Sequence, residues 1–189
     1  LTVFVGKRPK TPPKPRSSAK ARRSAARLAA VQVLYEIAQT GKPAAEALAG
    51  FIEFRIGHEI DGATFVAADI TLLTAIVRGA DAERAHIDSL IEGAIRPPLE
   101  RQRLEVLLRM ILIAGTWELL RNHEAPSAIL LAEYVGIATA FYGGPEPGLM
   151  NGVLDRLART LRPYEFGVTG EGQIPAGGPA PVPPAKHDG

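Results

Sequence analysis

At 189 residues and 46% apolar content, the chain is long enough for one well-filled domain with tails, and with no cysteine it excludes disulfides, thiolate catalysis and the usual zinc-finger ligands. The formal net charge of +2 conceals a split, because the first twenty-seven residues carry nine Lys or Arg and no acid. The first carboxylate is Glu36, so +9 precedes −7, the electrostatic footprint of a protein that grips a polyanion. No apolar run approaches the roughly 18 residues that span a bilayer, and Leu1 to Gly6 is too short for a signal-peptide core. These features predict a cytoplasmic protein with no membrane partner.

Residues 1–17 read as a flexible basic arm, since Lys7 to Arg16 is KRPKTPPKPR, rich in proline and with nothing to bury. Ser17 and Ser18 are candidate N-caps for a first helix that ends at Thr40, before Gly41 and Pro43. Leu28, Val31, Leu34, Tyr35 and Ala38 share one predicted face, and Arg16, Lys20, Arg23 and Arg27 form a neighbouring basic stripe at steps of four, three and four. Pro43 opens a second helix carrying Leu48, Phe51 and Ile52. Gly57 to Ala63 reads as a turn. Phe65 to Gly93 is one long helix, or two with a break near Gly79, stopped by Pro97 and Pro98.

Leu104 to Leu120 is the most apolar stretch and is predicted to be the central helix. Pro126 opens the next helix. Gly143 to Gly148 (GGPEPG) is predicted to be a loop, and Leu149 to Leu161 the last helix. Residues 163–189, in which twelve of twenty-seven are Gly or Pro, are expected to be disordered. With no convincing period-two alternation, the class is all-α, with a folded body over 18–162.

Catalytic patterns are lacking. His58, His86, His123 and His187 are scattered, and no phosphate loop or nucleophile elbow occurs. The expectation is a non-enzyme with no metal and no cofactor. The basic stripe is the stronger signal: cations along one helix, extended by the arm, can neutralise several phosphates, each adding a salt-dependent increment of affinity.

Four strings occur in order: RRSAARLAAVQVLYE (Arg22 to Glu36), LRMILIAGTWELL (Leu108 to Leu120), AEYVGIATAFYG (Ala132 to Gly143) and MNGVLDRLARTLRP (Met150 to Pro163). Together they resemble the bacterial transcription antitermination factor NusB family over the whole body. The resemblance implies about seven helices, as two packed three-helix bundles with one further helix. It also implies a role: with the ribosomal protein NusE, binding of the boxA RNA element of ribosomal RNA leader transcripts, within the RNA polymerase antitermination complex. By position it assigns Arg23 and Arg27, with Arg22 adjacent, and Asn151 to RNA, with Lys20 of the basic stripe assisting, and Gln32, Tyr35 and Glu118 to the protein partner. It leaves a homodimer open.

The sequence departs from the family pattern at four places. Ser24 and Ile113 stand where the family often has Arg, Ala132 where it has Asn, and Leu149 where it has an aromatic. The resemblance leaves two other readings. One is a protein-interaction scaffold that has kept the fold and lost specific RNA binding. The other is an accessory domain of an RNA methyltransferase, disfavoured because no methyltransferase motif follows.

Overall fold

The computed structural model describes residues 18–56, 67–95 and 104–167. The arm (1–17), the turn at 57–63, the Pro97–Pro98 stop and the tail beyond 167 lie outside them. The described residues form seven α-helices and one 3-10 turn, with no strand among them.

Helix α1 (Ala19–Thr40) starts where Ser18 accepts a hydrogen bond from the Ala21 N–H at 3.1 Å. It ends at Gly41, whose φ of 70° lets its N–H cap the Ile37 carbonyl. Pro43 opens α2 (Ala44–Arg55). Asp69 caps α3 (Ile70–Ala82) by accepting from the Leu72 N–H, while its own N–H donates to the Arg22 carbonyl at 3.0 Å. That second bond fixes the start of α3 beside the first turns of α1.

The sequence places the next break near Gly79; the structure places it at Glu83, before α4 (Arg84–Ala94). Gly79 has a different role. A Cβ there would sit 2.1 Å from Trp117 Nε1, so its lack of a side chain admits the indole ring rather than ending the helix.

Helix α5 (Val106–Arg121) is buried on nearly every side from Leu108 to Leu119. A helix apolar all round belongs in the middle of a core, and α5 packs against α1, α3, α4, α6 and α7. Helix α6 (Ser127–Phe141) follows Pro126. Helix α7 spans Glu146–Leu161, so the expected loop is shorter than GGPEPG. Pro147 fits the first helical turn because its missing N–H has no intrahelical partner there anyway.

Helices α1, α2 and α3 form one bundle and α5, α6 and α7 a second. Helix α4 lies against α5 and α7, and Arg156 of α7 donates to the Ala94 carbonyl at its end. The body does not stop at 162. Pro163–Phe166 form the 3-10 turn, and Arg162 is fully buried.

One buried ion pair joins the bundles. Arg27 of α1, 4% exposed, donates from Nε and Nη2 to the two Glu118 oxygens at 2.6 and 3.1 Å. The Glu118 carboxylate, fully buried, also accepts from Tyr134 Oη at 2.8 Å and from Asn122 Nδ2 at 2.6 Å. Burial works against the Arg27 charge, but Glu118 more than offsets it, and the guanidinium's pKa is raised. Tyr134, buried beside that anion, has its hydroxyl pKa pushed well above the usual value and stays protonated.

Exposed pairs such as Arg159–Asp155 contribute only tenths of a kcal/mol. Removing one partner of a buried pair leaves the other charge stranded, at about 3–5 kcal/mol. Arg27→Met and Glu118→Gln should each lose stability on that scale in denaturant unfolding, and R27M/E118Q should lose clearly less than their sum. Strict additivity of the two losses would show the pair to be uncoupled. Gly79→Ala should cost about 1–3 kcal/mol by overpacking. Since Trp117 is the only tryptophan, its emission should shift to the red as the ring is displaced, and an unshifted spectrum would count against the close packing.

Candidate nucleic-acid interface

The Asp69–Arg22 backbone bond holds α3 beside α1, and the α5–α6 connection faces the same ends of both helices. Between them lies a groove of about 790 Å³. Lys20, Arg23 and Arg27 line it from α1, and Asp69, Thr71, Leu72 and Ala75 from the start of α3. Trp117, Arg121 and residues 122–126 line it from α5 and the connection, with Ile129 and Glu133 from α6.

The stripe of cations foreseen on α1 divides in two. Lys20 and Arg23 are exposed on the groove rim, and neither has an ion-pair partner among the described residues. Arg22 is also exposed and unpaired among them, beside the groove rather than in its lining. One turn further along, the second bundle covers the stripe. There Arg27 is buried, bound to Glu118 on two sides and reaching Glu133 from Nη1 at 3.4 Å. Arg27 therefore stands at the groove's inner wall with its charge already matched, and the geometry does not present it to a phosphate.

The same holds for Glu118, assigned by the resemblance to the protein partner: it is fully buried and its carboxylate is occupied by Arg27 of α1, Tyr134 of α6 and Asn122 just past the end of α5. Gln32 and Tyr35 are exposed farther along α1, with Tyr35 37% accessible. Asn151 is exposed on α7 and does not line the groove. The structure thus brings Lys20 and Arg23 together with Arg22 nearby, and leaves Asn151, Gln32 and Tyr35 on other surfaces.

Sequence reasoning missed Arg121, Asn122 and Asp69. Arg121 pairs with Glu83 across the α3–α4 break, and its guanidinium is the first cause holding the Glu83 carboxyl below the usual range. Asp69 just ahead of an apolar helix is an N-cap signal that could have been read. Among the described residues no group of three His, Cys, Asp or Glu side chains could hold a metal ion, and no helix is long and apolar enough to cross a membrane.

Of the four departures, Ile113 is fully buried in α5 and Leu149 is half-buried, while Ala132 is exposed. Ser24 turns inward on its own helix and donates to the Lys20 carbonyl at 3.2 Å.

Comparison with known proteins agrees with this architecture. The chain is 43% identical over 158 residues to the transcription antitermination protein NusB of Brucella anthropi, covering 84% of this chain and 93% of that one. It is also 43% identical over 152 residues to that of Brucella ovis, covering 80% and 88%. Among solved structures, NusB of T. maritima superposes with a TM-score of 0.62 at 22% identity, covering 77% of this chain and 97% of that one. A structure of NusB and NusE in complex with dsRNA gives 0.62 at 21%, covering 76% and 99%. At those identities the likeness concerns the fold. The NusB family model matches residues 24–159, which span the helical body from the first turns of α1 to the end of α7, and on these grounds the chain belongs to the NusB family.

Proposed function

We propose that this chain is an RNA-binding transcription antitermination factor that works without catalysis in the cytoplasm. With the ribosomal protein NusE it holds the boxA element of ribosomal RNA leader transcripts and joins the RNA polymerase antitermination complex. The observation that carries the reading is the cation set Lys20, Arg22 and Arg23 at the start of α1, exposed and unpaired among the described residues and continuous in sequence with the basic residues before it. Cations with no partner among the described residues give up no ion pair there to meet a phosphate. The relatives named as antitermination proteins, and the neighbouring fold solved with NusE and dsRNA, support the same direction.

In this reading Lys20, Arg22 and Arg23 neutralise phosphates, and Asn151 adds a polar contact from α7. Gln32 and Tyr35 face NusE. Arg27 and Glu118 act from inside, by fixing α1 against α5 and α6. Charge reversal at Arg27 would set a third carboxylate beside Glu118 and Glu133, so it tests folding rather than RNA contact.

The deciding experiment is binding to a short boxA-type RNA and a scrambled control at two salt concentrations, with and without NusE. The wild type should prefer boxA, more strongly with NusE. R22E/R23E should weaken binding by more than about tenfold and reduce the slope of log K against log salt by about two, one for each phosphate lost. Unchanged affinity in that variant would remove the arginine assignment. Tyr35→Ala should weaken NusE association while leaving binding to RNA alone as it was; a loss of RNA binding alone would move Tyr35 to the other surface. The exposed Ala132 and half-buried Leu149 favour a second reading, a scaffold without specific RNA binding. Equal, steeply salt-dependent binding to both RNAs with intact NusE association would establish that one instead.

A further inference from the structure

An α-helix ends with carbonyls that have no intrahelical donor. At the end of α5 the Leu119 carbonyl is met by a residue from the far end of the second bundle, which also reaches the Glu118 and Asn122 carbonyls, each already accepting a backbone N–H. Arg162, fully buried after α7, donates from Nε to the Leu119 carbonyl at 2.7 Å and from Nη2 to the Glu118 and Asn122 carbonyls, each at 2.8 Å. Its Nη1 donates to the Ala125 carbonyl at 2.8 Å and to Glu165 Oε1 at 3.1 Å. A guanidinium has five N–H groups, and these bonds use all of them. The other Glu165 oxygen accepts the Ser127 N–H at 2.7 Å, at the first residue of α6.

One ion pair thus holds both ends of the α5–α6 connection. Residues 122–126 of that connection form one wall of the groove, whereas Arg162 and Glu165 do not line it. Burial works against the Glu165 charge, but the Ser127 N–H and Arg162 more than offset it and hold its carboxyl below the ordinary range.

We infer that Arg162 and Glu165 are positioning residues for RNA binding: they strap the α5–α6 connection in the place that shapes the groove beside Lys20 and Arg23, without touching RNA. The inference rests on the RNA-binding reading above. It gives the Arg-Pro-Tyr-Glu segment after α7 a task in recognition as well as in stability.

The test is boxA-type RNA affinity of the full chain carrying Glu165→Ala or Glu165→Gln, at a temperature where circular dichroism shows both fully folded, with Arg23→Glu as the control. Deleting an acid near a polyanion site would, on charge alone, tighten binding. The strap predicts the opposite sign, about fivefold weaker binding for Glu165→Ala. The slope of log K against log salt should not change, because no phosphate contact is lost. Amide exchange at Ser127 should accelerate. Glu165→Gln keeps a carbonyl oxygen for the Ser127 N–H and should recover most of the affinity. Wild-type or tighter binding by Glu165→Ala, with Arg23→Glu clearly impaired, overturns the strap and leaves the RNA reading standing. If Arg23→Glu is also silent, the RNA reading falls and the strap's role in it falls too.

Discussion

Glu118 is the one acid on the buried face of the most apolar helix, and much of the arrangement depends on how it is satisfied. Taking a carboxylate and a guanidinium out of water is costly, and their attraction offsets that cost only when geometry is good and the remaining lone pairs are occupied. Here both conditions hold: Arg27 binds it on two sides, Tyr134 and Asn122 complete it, and the four bonds come from α1, α6 and the residue just past α5. Apolar packing alone tolerates small slips of one helix against another, since it is non-directional. A bidentate pair does not. The ion pair therefore fixes the height of α1 relative to α5, and with it the place where Lys20 and Arg23 emerge.

The groove follows from that placement and from two further polar devices. The Asp69 N–H bond to the Arg22 carbonyl sets one wall, and Arg162 sets the opposite one by capping α5. All three join residues far apart in the chain. Each also meets a backbone or charged group that would otherwise be left unpaired at a helix end or in the core. The surface proposed to meet RNA is in this sense built from the inside.

The sequence made the helices legible because their signals are local. Ser18, Gly41, Pro43 and Pro126 stand at or beside helix ends, as capping and proline geometry require, and the apolar run of Leu104–Leu120 is the central helix. The misreadings share a physical cause. Periodicity reports which residues share a helix face and is silent on which helix will cover it. Leu28, Tyr35 and Ala38 share the predicted apolar face with Val31 and Leu34, yet all three are exposed. Arg27 continues the basic stripe and is buried. A fuller reading was available at two positions. Glu118 is the lone acid in an apolar helix, which demands a buried partner, and Arg27 sits among Ala26, Ala29 and Ala30, a face small enough for close approach. Arg162 left no comparable trace, because its acceptors are backbone carbonyls that sequence does not mark.

Where the chain departs from its family, the structure gives the change a direction. Ile113, at a position where the resemblance leads one to expect Arg, is fully buried, so no cation reaches the surface from that turn of α5. Ser24 is bonded back onto its own helix, so the first turns of α1 offer Arg22 and Arg23 without a third neighbouring arginine. On the proposed reading, attraction to RNA is then concentrated at the α1 end of the molecule. Phosphate contacts hold an RNA in place but carry little sequence information, whereas base-edge contacts specify. On that reading, with Ala132 and Leu149 where the resemblance leads one to expect an amide and an aromatic, the proposed surface has fewer groups for reading bases than for holding backbone. Discrimination must then draw more on the partner protein, and affinity for RNA alone must fall steeply with salt.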